Sequence, residues 1–426
     1  MTYAAALDLL AARQETRIRL GLARLRRSLR RLGNPQAAWP CLHVAGTNGK
    51  GSTCAILESV LRAAGYRTGL YLSPHLGCVR ERIQVNGRAV CEADFARLLG
   101  RVLAADPAAE LTYFELLTAV AFLYFREQGT QAVVLETGLG GRLDATNVVG
   151  KPVACVITSI SHDHTQWLGR SLPRIAAEKA GIIKAGVPVF CAALPPAALR
   201  VMTRRAAALR APLTVVKRAW PSVFVNWRAN RQVLRDGRTR YELSLLGSRQ
   251  GRNAALARAV LDGVRSTWPV PRAAWSRGLC RVRLPGRFMV LRRGGRTAIV
   301  DGAHNPEAMG ELARTLGASP WNGRRLRWIF GIMRDKDCRS VVSRVAPRLH
   351  DVVAVAAPNP RAFPAGALAA ELRRQAPRAA VRTVADAASA LRQWRTDPAA
   401  PRTALVCGSF YLAAEAIAAL RRCGYG

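Results

Sequence analysis

The apolar residues of this chain recur at two spacings, and the alternation between them predicts the architecture. Ile18, Leu22, Leu25, Leu29 and Leu32 fall at helical spacing with arginines on the opposite face, and Gly33-Asn34-Pro35 ends the run, so a surface helix is expected over 16–33. A short apolar strand at 41–45 follows, then a Gly-rich turn, a helix over about 52–64 ending at Gly65, and a strand at 67–72. Further strands are expected at 132–136, 153–158 and 187–191, with helices at 114–128 and 172–184 between them. Strands alternating with helices predict a mostly parallel sheet. The pattern changes over 219–246. Short β-like runs at 223–227, 232–234 and 241–245 surround the turn signal Asp236-Gly237, and a helix follows at about 253–264. Near Leu284-Pro285-Gly286-Arg287 a second α/β pattern begins, with strands at 297–300, 326–330, 352–355 and 404–407. Two α/β domains, 1–285 and 286–426, are the expected division.

Composition narrows the class. The chain has 426 residues, of which 50% are hydrophobic and 22% charged, so it is long enough for two cores and is not a disordered polyelectrolyte. No apolar run of membrane-spanning length is present, and the first residues lack a signal-peptide pattern. Ten cysteines are scattered without CxxC spacing, which predicts neither a zinc cage nor a disulfide framework. A reducing cytoplasm is the expected compartment.

The net charge of +38 raises the possibility of a nucleic-acid-binding protein. Its distribution argues otherwise. Residues 286–426 carry +13 and the other 285 residues +25, nearly the same charge per residue. A binding footprint concentrates charge on one stripe, whereas a uniform excess of 59 Arg over 6 Lys reads as compositional drift. In a chain that writes Arg almost everywhere, Lys50, Lys179, Lys184 and Lys336 stand out, because an amine can be tuned or modified where a guanidinium cannot.

The strongest chemical signal is Gly46-Thr47-Asn48-Gly49-Lys50-Gly51-Ser52-Thr53, between a strand and a helix. Glycines let backbone amides turn toward an anion, the helix N-terminus adds positive potential, and Lys50 reaches terminal phosphates. Other segments are ambiguous taken alone. Ser73-Pro74 suits an ordinary turn, and His162 and His164 suit loop histidines. Lys179 suits a surface helix, Arg287 one more surface arginine, and Tyr113-Phe114 a hydrophobic helix start. Glu136 differs, because it ends an apolar strand.

The GTNGKGST loop resembles that of the Mur ligase superfamily. The stretches LGLARLRR (20–27), YLSPHL (71–76), LTYFE (111–115), LETGLGGRLDATN (135–147), DHTQWLG (163–169), EKAGIIK (178–184), LPGRF (284–288), DGAHNP (301–306), DKD (335–337) and VCGSF (406–410) resemble its folate branch. The resemblance implies a P-loop Mur-ligase-type ATPase domain followed by a smaller Rossmann-like α/β domain, with the active cleft between them. It implies a monomeric, ATP- and Mg²⁺-dependent ligase adding L-glutamate to dihydropteroate and to the glutamyl tail of reduced folates through an acyl phosphate. By motif, Gly49, Lys50, Gly51, Ser52, Asn253, Arg287 and Asp301 would contact ATP. Ser73, Glu136 and His164 would hold Mg²⁺, and Lys179 would carry a CO2-derived carbamate. His304, with Lys50 and Lys179, would serve catalysis, Asn305 would share the cleft with His304, and Lys336 and Ser409 are further candidates on the glutamate side. Thr112, Tyr113, Phe114, Glu115, Arg142 and Asp144 would line the folate or pteroate site. Membrane and nucleic-acid partners are not expected. One departure is Ser248-Arg249-Gln250, where many relatives have His-Gln. The alternatives are a monofunctional folylpolyglutamate-forming enzyme, another Mur-type amide ligase, or a basic nucleic-acid-binding protein on a retired ligase scaffold.

Overall fold

Strand Cys41–Ala45 is buried at every position, as a strand covered on both faces of a parallel sheet must be. In the computed structural model, which describes residues 1–13 and 19–426, it lies inside an eight-stranded sheet. From edge to edge the strands run Arg88–Ala89, Ile83–Val85, Thr68–Tyr71, Ala132–Glu136, Cys41–Ala45, Ala154–Ile157, Val189–Ala192 and Leu213–Val216. The last six are parallel to one another. The runs AVVLE, ACVI and VFCA are likewise fully buried, which explains why they read as continuous apolar segments.

Parallel strands send their carboxyl ends to one edge, where open α/β sheets bind ligands. That edge collects the Gly-rich loop after Ala45, Ser73 after Tyr71, Glu136, and the segment after Ile157. Helix Tyr113–Glu127 packs beneath as the most buried helix of this unit, with Leu116, Leu117, Phe122 and Phe125 inaccessible to solvent.

Contacts divide the chain into two units: Met1–Trp220 with Gly251–Val282, and Pro221–Gln250 with Arg283–Gly426. The second unit has a six-stranded sheet ordered Met289–Arg293, Arg296–Val300, Thr403–Cys407, Arg327–Phe330, Asp351–Ala354 and Ala380–Thr383. Only the first of these is antiparallel to its neighbour. The small antiparallel sheet of Ser222–Asn226, Arg231–Asp236 and Thr239–Leu243 also belongs to this unit, although sequence placed it in the first domain. Its packing explains the difference. Trp227 sits against Phe288 and Trp321, with ring centroids 5.9 and 5.7 Å away, and Asn230 donates a side-chain hydrogen bond to the Val290 carbonyl (2.9 Å).

Three further differences have local causes. The helix expected over 16–33 spans Ala23–Arg31 and follows an earlier one at Tyr3–Ala12; Leu25 and Leu29 are buried as its spacing required, and Ile18 lies outside the described residues. The helix after the Gly-rich loop begins at Lys50, because Gly49 at φ +88° already turns the chain into it. The helix Leu172–Ala180 stops four residues early. The Arg142 amide takes the Glu178 carbonyl (2.8 Å), and a Cβ on Gly181 would lie 2.4 Å from Arg142 Cα. Among the described residues no helix is long and apolar enough to cross a membrane.

Candidate active site

The turn from Ala45 into helix Lys50–Ala63 is held by the segment that follows the neighbouring strand. Thr47 N–H donates to the Ser159 carbonyl (2.8 Å), and Asn48 N–H donates to Ser159 Oγ (2.9 Å). The hydroxyls of Thr158 and Ser159 both donate to the Asn48 carbonyl, at 2.8 and 3.0 Å. The sequence reading missed these two supporting residues, Thr158 and Ser159, whose signal was the hydroxyl-rich TSIS preceding DHT. The first intrahelical bond runs from Thr53 N–H to Gly49 O (2.9 Å). The amides of Lys50, Gly51 and Ser52 therefore have no intrahelical acceptor, which is the arrangement that binds phosphate. Lys50 Nζ lies along the loop and donates to Thr47 O (3.2 Å). Asn253 closes the other side: a Cβ on Gly49 would sit 2.7 Å from Asn253 Oδ1.

Lys179 is buried against this loop. Its Nζ donates to Gly46 O (2.8 Å), so the surface-helix reading of this residue fails. Burial, then the nearby Lys50 charge, lowers its pKa to about 7. Glu136 is also buried, on the strand adjoining the loop, and accepts a hydrogen bond from Ser73 N–H (3.0 Å). Two expected metal ligands are thus adjacent. His164 caps the short helix Thr165–Leu168 in left-handed conformation (φ +49°), with its Nε2 3.9 Å from Asp163. Among the described residues no three His, Cys, Asp or Glu side chains form a metal cage. A serine hydroxyl and one carboxylate are hard oxygen donors, and they suit Mg²⁺, which keeps most of its other positions for phosphate and water.

The expected pteroate segments are strongly structured. Thr112 and Glu115 form a reciprocal helix cap: Glu115 Oε2 accepts from Thr112 N–H (2.9 Å) and Oγ1 (2.8 Å). Arg24 pairs with the same carboxylate (3.2 Å). Tyr113 lies under the buried Arg82 guanidinium, 5.5 Å from its ring centroid, and Arg82 Nε donates to His75 Nδ1 (2.8 Å). Phe114 stands between Tyr71, 5.8 Å between centroids, and Gly138, where a Cβ would fall 2.6 Å from the ring. Arg142 pairs with Glu178 (2.9 Å) and keeps an exposed guanidinium. Asp144 is buried and orders its loop, accepting from Leu139 N–H (2.8 Å), Thr146 N–H (3.0 Å) and Thr146 Oγ1 (2.5 Å). Burial pushes its pKa up.

That loop is tied to the central strand through His43. Thr146 gives its one hydroxyl proton to Asp144, so His43 Nε2 donates to Thr146 Oγ1 (2.8 Å). Its buried Nδ1 has no partner, and burial lowers its pKa to about 3. In the unfolded chain His43 titrates near 6.5, so that state binds more protons between pH 6.5 and 3. Stability is therefore lost as pH falls through this window. His43→Gln, which keeps a donor without a titrating group, is expected to flatten the dependence of Tm on pH between 6.5 and 4. An unchanged slope refutes the assignment.

In the second unit, Asp301 follows strand Arg296–Val300 and accepts from Phe288 N–H (2.7 Å) and Ala303 N–H (2.8 Å). His304 Nδ1 lies 2.8 Å from Gly302 O, and Asn305 caps helix Pro306–Gly317. Arg287, Asp301 and His304 thus occupy one neighbourhood of this unit. The departing Arg249 pairs with Glu307 (2.6 Å) and Glu311 (2.9 Å), which fastens its segment to that helix.

Two family models match the chain: the Mur ligase middle domain over residues 44–261 and the Mur ligase glutamate ligase domain over 286–410. A dihydrofolate synthase/folylpolyglutamate synthase of Bacillus subtilis is 36% identical over 363 residues, covering 81% of this chain and 83% of the relative. An Escherichia coli structure described as FolC in complex with DHPP and ADP aligns with a TM-score of 0.86 at 32% identity, covering 99% of this chain and 98% of that one. A bifunctional folylpolyglutamate synthase/dihydrofolate synthase with Mn, AMPPNP and L-glutamate bound aligns with a TM-score of 0.84 at 34% identity, covering 99% and 98%. This chain belongs to the Mur ligase family, in its dihydrofolate synthase/folylpolyglutamate synthase branch.

Proposed function

We propose that this chain joins L-glutamate to dihydropteroate and to the glutamyl tail of reduced folates, using ATP, as a cytoplasmic monomer. The observation that carries the reading is the contact of buried Lys179 with the Gly-rich loop at Gly46, on the sheet edge that also pairs Ser73 with Glu136. The substrate carboxylate attacks the γ-phosphorus and ADP leaves, giving an acyl phosphate. The glutamate amine then attacks the acyl carbon, loses its proton, and inorganic phosphate departs.

The loop amides from Gly49 to Ser52 bind and orient the phosphates, and Lys50 offsets their charge. Ser73 and Glu136, with His164, would hold Mg²⁺, which when bound neutralises phosphate oxygens. Lys179 is built to become a carbamate. With a pKa near 7, a large fraction of its amine is unprotonated at neutral pH. That nitrogen bonds to the carbon of CO2 and releases one proton, leaving an anionic oxygen donor beside the loop. Tyr113, Phe114, Arg142 and the segments capped by Thr112, Glu115 and Asp144 receive the pteridine and its p-aminobenzoyl group; in the second unit, Arg287 and Asp301 contact ATP, and His304 assists glutamate.

Mass spectrometry of reactions containing ATP, Mg²⁺ and L-glutamate tests this directly. One reaction contains dihydropteroate and another a tetrahydrofolate monoglutamate. A new amide in both is the expected result. Product with one acceptor alone reduces the assignment to a single activity, and none with either, from chain that binds ATP, overturns it.

A further inference from the structure

Three groups of the second unit converge on one aromatic ring that no part of the proposed chemistry uses. The Arg287 guanidinium carbon lies 4.4 Å from the centroid of Phe410. The His304 imidazole packs on the same ring, 5.2 Å between centroids and tilted by 59°. Gly302 lies flush against it: a Cβ there would fall 2.4 Å from the ring edge. The ring is only half-buried, although it opens the helix Phe410–Arg422.

The ring has a fixed position. Gly408 adopts φ +109°, and its N–H donates to Ala303 O (2.9 Å). The same glycine lies so close to the neighbouring strand end that a Cβ would meet Gly331 O at 2.5 Å. Buried Ser409 then caps the helix, accepting from Tyr411 N–H (3.1 Å). The backbone therefore delivers Phe410 to Gly302, and Arg287 and His304 settle on what it presents. A free arginine side chain samples many rotamers, and each must be given up when it meets a phosphate. A cation held over a ring face has already given up most of them.

We propose that Phe410 is a positioning residue for the ligase reaction. Its ring sets the Arg287 guanidinium and the His304 imidazole at a fixed relation before substrates bind. The inference rests on the reading above, in which Arg287 meets ATP and His304 assists glutamate. It gives the phenylalanine of VCGSF a role distinct from that of a core side chain.

The test uses the full chain with Phe410→Leu, Phe410→Tyr, Arg287→Ala and the Phe410→Leu/Arg287→Ala pair. Phe410→Leu is expected to raise KM for ATP about five- to thirty-fold, the range for losing a cation–π contact, with Tm within a few degrees of the parent. Phe410→Tyr keeps the ring and is expected within about three-fold of the parent. In the double variant, the leucine is expected to add little to the loss caused by Arg287→Ala. Parental KM in the leucine variant, a tyrosine variant as impaired as leucine, or additive losses would each overturn the proposal. Phe410→Met serves the same comparison where the leucine variant does not fold. Affinity for AMPPNP with Mg²⁺, by calorimetry, gives a readout independent of turnover. A parent that binds this nucleotide but forms no amide refutes the ligase reading, while the Phe410 series is still decided on nucleotide affinity.

Discussion

Lys179→Met is expected to lower glutamate ligation by roughly 100-fold or more and, below pH 7, to make the protein more stable. Both effects follow from one buried amine. Lys179 is 4% exposed, its Nζ donates its hydrogen bond to a backbone carbonyl, and its pKa is lowered to about 7 from 10.5. A lysine depressed in the folded state binds fewer protons than in the unfolded state between pH 7 and 10.5. Stability therefore rises with pH across that window, and the full penalty is present at pH 7 and below. Methionine fills a similar volume without that charge, so its advantage in Tm is expected to be largest at pH 6–7 and to shrink toward pH 10. Activity moves the opposite way, because methionine cannot take up CO2. Lys179→Arg separates charge from chemistry. It keeps a cation, cannot form the carbamate, and is expected to lose activity like methionine while gaining no stability. Partial recovery of Lys179→Met or Lys179→Ala by acetate would mark the missing group as a carboxylate. Full activity in Lys179→Arg would end the carbamate reading.

The case of Lys179 shows how far residue order carries. Its scarcity in an Arg-rich chain marked it, yet composition left it equally suited to a surface helix. Burial against Gly46 excludes the surface-helix reading, and burial is a tertiary quantity. The parallel strands were legible because burial on both faces writes uninterrupted apolar runs such as AVVLE. The hairpin Ile83–Val85 to Arg88–Ala89 was missed although Asn86-Gly87, at φ +51° and +72°, is a turn signal of the same kind as Asp236-Gly237. Its strands are too short to show a period. Residues 221–250 were assigned to the first domain because their neighbours in sequence lie there, whereas Trp227 packs on Phe288 and Trp321 more than sixty positions away. Motifs singled out the candidate site residues. Which of them serve the fold was invisible: Thr112 and Glu115 cap each other, and Asp144 spends its acceptors on its own loop.

Gly49→Ala is expected to weaken nucleotide binding by at least 100-fold while shifting Tm by only a few degrees. The residue sits at φ +88°, a region that costs an L-amino acid about 1–2 kcal/mol. That strain alone corresponds to roughly ten-fold. The larger effect is steric: the new methyl would lie 2.7 Å from Asn253 Oδ1, inside the contact distance of any real pair. Either Asn253 turns away or the loop lifts off Ser159 and Asn48 loses its bracing. Both responses act on the segment that presents the Lys50, Gly51 and Ser52 amides, and neither reaches the core under helix Tyr113–Glu127. The two contributions separate in a second variant. Gly49→Ala combined with Asn253→Gly removes the clash and keeps the strained φ, so it is expected to recover binding relative to Gly49→Ala despite losing Asn253 itself. ATP affinity by calorimetry decides the matter. If Gly49→Ala costs as much affinity on the Asn253→Gly background as it does in the parent, the clash contributes nothing and the steric account of Gly49 fails.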